Sequence, residues 1–86
     1  MDWSDFMFDF EYSICTEPDK DIFLKQCKAL EKYIPNLQKG NLLKDVDDSE
    51  TQVYYLNNKK LLVHNSYYIG AVYVESEFDI EKYFQN

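Results

Sequence analysis

The sequence contains no arginine. All nine of its basic residues are lysines, against sixteen aspartates and glutamates, which gives a formal net charge of −7. Proteins that bind nucleic acid usually present a basic patch in which arginine side chains contact phosphates. The composition therefore predicts no direct nucleic-acid binding and favours a basic protein partner, because a negative field attracts positively charged surfaces.

Glycine, proline and cysteine are also scarce, with two of each in 86 residues, and 45% of the chain is hydrophobic. So few turn-forming residues in so apolar a chain exclude a disordered or loop-dominated protein. Cys15 and Cys27 form no CxxC pair and have no metal-finger spacing, so we expect reduced thiols, no metal and no cofactor. No apolar run approaches the roughly 20 residues that cross a bilayer, and the acidic start is unlike a signal peptide. These features predict no membrane association and a cytoplasmic location.

The first strong pattern is the alternation of side chains from Asp5 to Ile14. Alternation with period two is typical of a strand that buries one face. The pattern predicts a strand that places five apolar side chains in the core and three carboxylates outside. The predicted core residues are Phe6, Phe8, Phe10, Tyr12 and Ile14, and the carboxylates are Asp5, Asp9 and Glu11.

An amphipathic helix follows this strand. Thr16 is the predicted N-cap, and the helix is expected to stop at Ile34 or one residue earlier, because Pro35 disfavours helical geometry in the residue before it. Apolar residues recur at helical spacing between these limits, and lysines lie toward another side. The predicted core positions are Phe23, Cys27, Leu30 and Ile34.

Residues 36–50 have no clear periodicity and are predicted to form a long loop. A hairpin is expected next, with strands in Thr51–Leu56 and Leu61–His64 around Asn57 and Asn58, which tolerate positive φ. The run Tyr67–Glu75 is apolar at both odd and even positions, which predicts a strand covered on both faces. Ser76 with Asp79 resembles a capping box, so a short terminal helix is expected, with a fifth strand as the alternative.

These elements give the order β-α-β-β-β-α. We therefore predict an α+β fold in which a mostly antiparallel four-stranded sheet packs on one main helix, as a single domain spanning residues 1–86.

No catalytic residue is predicted from the sequence. His64 lies in a predicted strand with no nucleophile assigned to it, and an enzyme would require it beside a thiol or carboxylate in a cleft. The acidic run Asp45–Glu50 lacks the glycine and the glutamate of a calcium-binding EF-hand loop, so a solvated acidic loop is the expectation.

Charge is strongly segregated along the chain, and the acidic run alone carries a charge of −4. If this run lies beside the outward face of the first strand, the two form one negative surface for a basic partner. Tyrosines would add contact area at such an interface. The predicted partner-binding residues are Asp5, Asp9, Glu11, Asp45, Asp47, Asp48, Glu50, Tyr54 and Tyr55.

Size, acidity and aromatic content together favour a non-enzymatic protein-binding module. The leading hypothesis is a stoichiometric inhibitor of the immunity-protein or antitoxin type that blocks a basic partner such as a nuclease toxin. Two alternatives stay open. One is a phage or mobile-element protein that mimics DNA, and the other is a structural subunit that forms a homodimer through a strand edge.

Overall fold

A computed structural model describes residues 10–83, which form one α-helix and a five-stranded antiparallel sheet. In chain order the elements are β1 (Phe10–Cys15), α1 (Lys20–Tyr33), β2 (Gln38–Lys44), β3 (Glu50–Leu56), β4 (Lys59–Ser66), β5 (Ala71–Ser76) and a 3-10 turn (Glu81–Tyr83). The predicted α+β class is confirmed, but the sheet has five strands, not four, and the element order differs from the prediction.

The strands are arranged in the order β1-β5-β4-β3-β2, so β1 and β2 form the two edges. The helix α1 joins these edges and covers one face of the sheet, which we call the helix face. We call the other side of the sheet the open face. Among residues 10–83, no helix combines the length and the apolar character needed to cross a membrane.

The helix begins one turn later than predicted. Its N-cap is Asp19, whose carboxylate accepts hydrogen bonds from the backbone N–H groups of Asp21 and Ile22. Thr16 lies before the helix, so the predicted N-cap is wrong; Asp19 satisfies the free N–H groups of the first turn instead. The helix ends at Tyr33 with Ile34 as the C-cap, as the following proline predicts.

The core lies between α1 and the helix face of the sheet. All four predicted helical core positions are buried, and they pack against β3, β4 and β5. The strand residues of this core are Tyr54, Leu56, Leu61, Val63, Val72 and Val74. The tyrosine hydroxyl at the centre donates a hydrogen bond of 2.5 Å to the Glu31 carboxylate. Burial raises the pKa of the Tyr54 hydroxyl strongly, and the neighbouring carboxylate adds to this.

The first strand departs from strict alternation. A bulge between Ser13 and Cys15 leaves Ile14 out of the ladder with β5 and turns Cys15 toward the core. Ile14 is therefore 37% exposed. Phe10, at the start of the strand, is 36% exposed, so the prediction that both enter the core is wrong. Tyr12 does pack against the core. The predicted core residues Phe6 and Phe8 lie outside the described residues.

The predicted loop of residues 36–50 contains the strand β2. This strand has the sequence QKGNLLK and is mostly exposed. It lacks the apolar alternation that predicts a strand, because an edge strand buries little apolar surface and often carries lysine. A register shift occurs between Lys39 and Leu42. Gly40 lies in this shift, where an added Cβ would stand 2.8 Å from the Tyr55 ring.

The hairpin β3–β4 is confirmed, and Asn57 and Asn58 both have positive φ in its two-residue turn. The expected strand Tyr67–Glu75 is wrong in its first half, because residues 67–70 form a turn that ends at Gly70, with φ of 79°. The predicted capping box is also wrong, since Ser76 belongs to β5 and Asp79 caps the 3-10 turn by accepting from the N–H of Glu81.

We expect Leu30→Ala to lower the free energy of unfolding by about 2–5 kcal/mol, because it removes a fully buried side chain between helix and sheet. Leu24→Ala is the matched control on the same helix. Leu24 is 43% exposed, so its truncation is expected to cost less than about 1 kcal/mol. Urea denaturation measures both variants, and equal losses would contradict this placement of the core.

Candidate functional site

Two connections lie side by side at one end of the sheet. The loop between β2 and β3 covers residues 45–49, and the turn between β4 and β5 covers residues 67–70. The backbone N–H of Tyr67 donates a 2.8 Å hydrogen bond to the Ser49 hydroxyl and so ties the two connections together. We call these two connections the loop end.

The β2–β3 loop is a compact turn that displays carboxylates. The N–H of Asp45 donates to the Ser49 carbonyl at 2.8 Å, and the N–H of Asp48 donates to the Asp45 carbonyl at 3.1 Å. The Asp47 carboxylate accepts from the N–H of Ser49 at 3.0 Å. Hydrogen bonds from Ser49 lower the pKa of Asp47, which is fully exposed. The loop therefore holds its charges in a defined arrangement.

Apolar side chains project from the same two connections. Val46 is fully exposed, Tyr68 is 91% exposed and Ile69 is 61% exposed, while Tyr67 is about half exposed. The turn that carries the last three is fixed by Ser66, whose hydroxyl accepts from the N–H of Ile69 at 3.0 Å. We call these four exposed side chains the apolar tips. Exposed apolar side chains that cluster mark interaction sites more often than isolated ones do.

A pocket of about 410 Å³ lies where the loop end meets the sheet. The loops contribute Asp45, Asp47 and Tyr68 to its lining, and the strands contribute Leu43, Thr51, His64 and Tyr73. These four strand residues are neighbours in one row, because the registers pair Leu43 with Thr51, Thr51 with His64 and His64 with Tyr73.

His64 is the centre of a hydrogen-bond network on the open face. Its Nδ1 lies 2.8 Å from the Thr51 hydroxyl and its Nε2 lies 2.8 Å from the Glu75 carboxylate. The Tyr73 ring stacks on the imidazole with 4.5 Å between ring centroids. A neutral imidazole fits these contacts when Nε2–H donates to the carboxylate and Nδ1 accepts from the hydroxyl.

Burial lowers the pKa of His64, and the Glu75 carboxylate opposes this shift without overcoming it. At neutral pH the contact with Glu75 is therefore a hydrogen bond from an uncharged imidazole. In many hydrolases a nucleophilic hydroxyl is activated by an imidazole that is itself hydrogen-bonded to a carboxylate. Thr51, His64 and Glu75 are hydrogen-bonded in the same order. No feature of the sequence predicts Glu75 as the partner of His64.

Two of the predicted partner-binding residues lie on the helix face and are buried. Glu50 is 6% exposed and forms an ion pair with Lys20 of α1. Tyr54 is 0% exposed and lies in the core. Both predictions are corrected, because the alternation along β3 turns these two side chains inward.

The remaining predicted residues are dispersed. Asp45, Asp47 and Asp48 lie in the exposed loop, whereas Tyr55 is near the other end of β3 and is 39% exposed. Glu11 is exposed on β1, the opposite sheet edge from β2 and its acidic loop. Four strand spacings, roughly 19 Å, separate these edges, so the single negative surface expected from Glu11 and the loop does not form as a compact patch. Asp5 and Asp9 lie outside the described residues.

The sequence interpretation missed the apolar residues of the loop end. Tyr67, Tyr68 and Ile69 were assigned to a strand, although Ser66 and Gly70 bracket them at the spacing of a four-residue turn. Within residues 10–83, no group of three or more histidine, cysteine, aspartate or glutamate side chains is arranged to hold a metal ion.

We expect His64 to make stability depend on pH. The pKa of His64 is lower in the folded chain than its ordinary value of 6.5, so the unfolded state binds more protons. The stability from this residue is therefore present above about pH 6.5 and is lost as the pH falls toward the lowered folded pKa. Urea denaturation between pH 7.5 and 5 measures the effect.

The control is His64→Gln, which removes the single histidine of the chain. The loss of stability between pH 7.5 and 5 should be smaller in this variant than in the wild type. Parallel profiles for the two proteins would contradict the buried, neutral imidazole.

Comparisons with known proteins do not assign the chain to a family. No protein-family model, no curated protein and no solved structure matches it. We therefore infer the function from the residues of the loop end and their geometry.

Proposed function

We propose that the protein is a small acidic binding module that associates one-to-one with a basic protein through its loop end. Stoichiometric inhibitors of the immunity-protein or antitoxin type act in this way, and a basic enzyme such as a nuclease toxin is the kind of partner that the net charge of −7 favours. The observation that carries the proposal is the combination of exposed apolar tips and carboxylates on two adjoining connections.

The apolar tips supply the contact area. Tyrosine loses little rotamer freedom on binding and is enriched in the buried centre of interfaces, and the aliphatic side chains add apolar area around it. Val46, Tyr67, Tyr68 and Ile69 are exposed on two connections that a hydrogen bond joins, so they lie at the same end of the sheet.

The carboxylates supply orientation and speed of association. Asp45, Asp47 and Asp48 flank Val46 in sequence and are exposed. Their loop is held by backbone hydrogen bonds, which reduces the entropy lost on binding. Charges at the rim of an interface mainly increase the association rate and make it sensitive to salt.

Two buried polar residues, Glu50 and Asn65, have a supporting role in this proposal. Lys20 at the start of α1 pairs with Glu50, the first residue after the acidic loop. Asn65, next to the β4–β5 turn, accepts a 3.0 Å hydrogen bond from the N–H of Asp19. Both connections of the loop end are therefore anchored to the start of the helix.

The direct test begins with affinity capture from the native host and purification of the captured protein. Titration calorimetry then compares the wild type with the double variant Tyr67→Ser/Ile69→Ser, which removes two apolar tips outside the pocket. We expect 1:1 binding that weakens with added NaCl and weakens about tenfold or more in the variant.

Leu24→Ser is the control, because it removes an exposed aliphatic side chain from the helix. It should change the affinity less than twofold. A partner whose binding is unaffected by the double variant, or equally affected by the control, would rule out the loop end as the interface.

One observation favours a second candidate, an acyl-transfer or hydrolytic activity. Thr51, His64 and Glu75 have the order of groups that activates a hydroxyl nucleophile, and two of them line a pocket. Against it, the surrounding backbone belongs to a sheet whose ladder uses the N–H groups that an oxyanion hole would need.

Hydrolysis of p-nitrophenyl acetate separates the two candidates. A binding protein should hydrolyse this ester no faster than free imidazole at the same concentration. Saturable turnover that is lost in both Thr51→Val and His64→Gln would instead establish the catalytic role.

A further inference from the structure

We propose that the pocket at the loop end receives an arginine side chain of the basic partner, with the guanidinium group between the acidic loop and the tyrosines. This inference rests on the proposed function and specifies what the site recognises. The pocket volume of about 410 Å³ falls within the range of about 300–1,000 Å³ that is common for sites that enclose small groups.

The lining contains three carboxylates and one lysine, Lys44, so its net charge is negative and favours a cation. Asp45 and Asp47 line the pocket, and within residues 10–83 neither carboxylate forms an ion pair. One oxygen of each accepts a backbone N–H of its own loop, at 2.7 Å for Asp45 and 3.0 Å for Asp47. The Asp47 carboxylate also interacts with the Ser49 side chain, and both carboxylates keep lone pairs that can accept from a ligand. Glu50 also lines the pocket but is neutralised by Lys20.

The remaining lining suits the rest of an arginine side chain. Leu43 is 54% exposed and offers an aliphatic surface for the methylene groups of the stem. Tyr68 and Tyr73 line the pocket and add aromatic surface for a planar cation, although the Tyr73 ring also stacks on His64. His64 is uncharged at neutral pH, so the imidazole in this lining does not repel a cation.

Arginine fits this lining better than other ligands do. A phosphate or other anion is opposed by the two carboxylates. A lysine ammonium is strongly hydrated and does not stack, whereas a guanidinium is weakly hydrated, stacks on aromatic rings and can donate to two acceptors at once. None of the 86 residues is an arginine, so no residue among them can occupy the pocket in this way.

The experiment is an NMR titration of the ¹⁵N-labelled protein with N-acetyl-arginine amide. The matched control is N-acetyl-citrulline amide, which has nearly the same shape and no charge. We expect saturable shifts confined to the amides of the pocket lining with the arginine compound, at least fivefold weaker binding of N-acetyl-lysine amide, and no saturation with the citrulline compound.

Two variants in the same loop test which carboxylates bind the guanidinium group. Asp47→Asn keeps the oxygen that accepts the N–H of Ser49 and removes the charge that faces the pocket, so we expect binding about fivefold weaker. Asp48→Asn removes one charge outside the lining, at a φ of 69° that asparagine tolerates. It should weaken binding less than twofold.

Absence of saturable shifts, saturation by the citrulline compound, equal affinity for lysine, or equal effects of the two variants would each overturn the arginine site. These outcomes are separable from failure of the proposed function. If the Tyr67→Ser/Ile69→Ser variant weakens partner binding while arginine fails to bind, only the pocket assignment is wrong. If arginine binds while that variant leaves the partner unaffected, the loop end is not the interface and the inference about a partner arginine falls with it.

Discussion

The two-residue turn between β3 and β4 is the constraint on which most of this structure depends. Asn57 and Asn58 adopt φ of 51° and 69°, the conformation that lets two twisted strands join directly. This turn sets a register of seven consecutive pairs from Leu56 with Lys59 to Glu50 with Asn65. Because a shift of one residue exchanges the two faces of a strand, the same turn puts Leu61 and Val63 in the core and His64 on the open face.

The sheet divides structural and chemical tasks between its faces. The helix face holds a conventional apolar core and buries its few polar groups in defined contacts, such as those of Glu50 and Asn65 with the start of α1. The open face holds the polar network around His64, in which Thr51 is hydrogen-bonded to Nδ1 and Glu75 to Nε2. Within the residues described, no buried side-chain polar atom lacks a hydrogen-bond partner. The pocket thus has a rigid base, while its exposed rim consists of loop residues.

Sequence reasoning succeeded where local chemistry decides the outcome. The helical core positions and the Asn57–Asn58 turn follow from spacing and from backbone preference, and that turn already implies that Thr51 faces His64. Sequence reasoning failed where the pairing of strands distant in sequence decides the structure. The strand β2 has little apolar alternation because it is an edge, and the bulge at Ile14 appears only when β1 is matched to β5. Glu75 reaches His64 through the β4–β5 register, which depends on the misassigned turn at residues 67–70.

The pairing of β1 with β5 also has a consequence for how the chain folds. Strands β2 to β5 each pair with a neighbour in sequence, whereas Phe10 pairs with Ser76 across almost the whole described chain. Such non-local contacts form late, because closing a long loop costs entropy before any contact is gained. During synthesis β1 is made first and lacks its partner until β5 has been made. An unpaired strand of alternating apolar residues can aggregate. Glu11, near the start of β1, is a charged residue of the kind that protects a nascent chain during this interval.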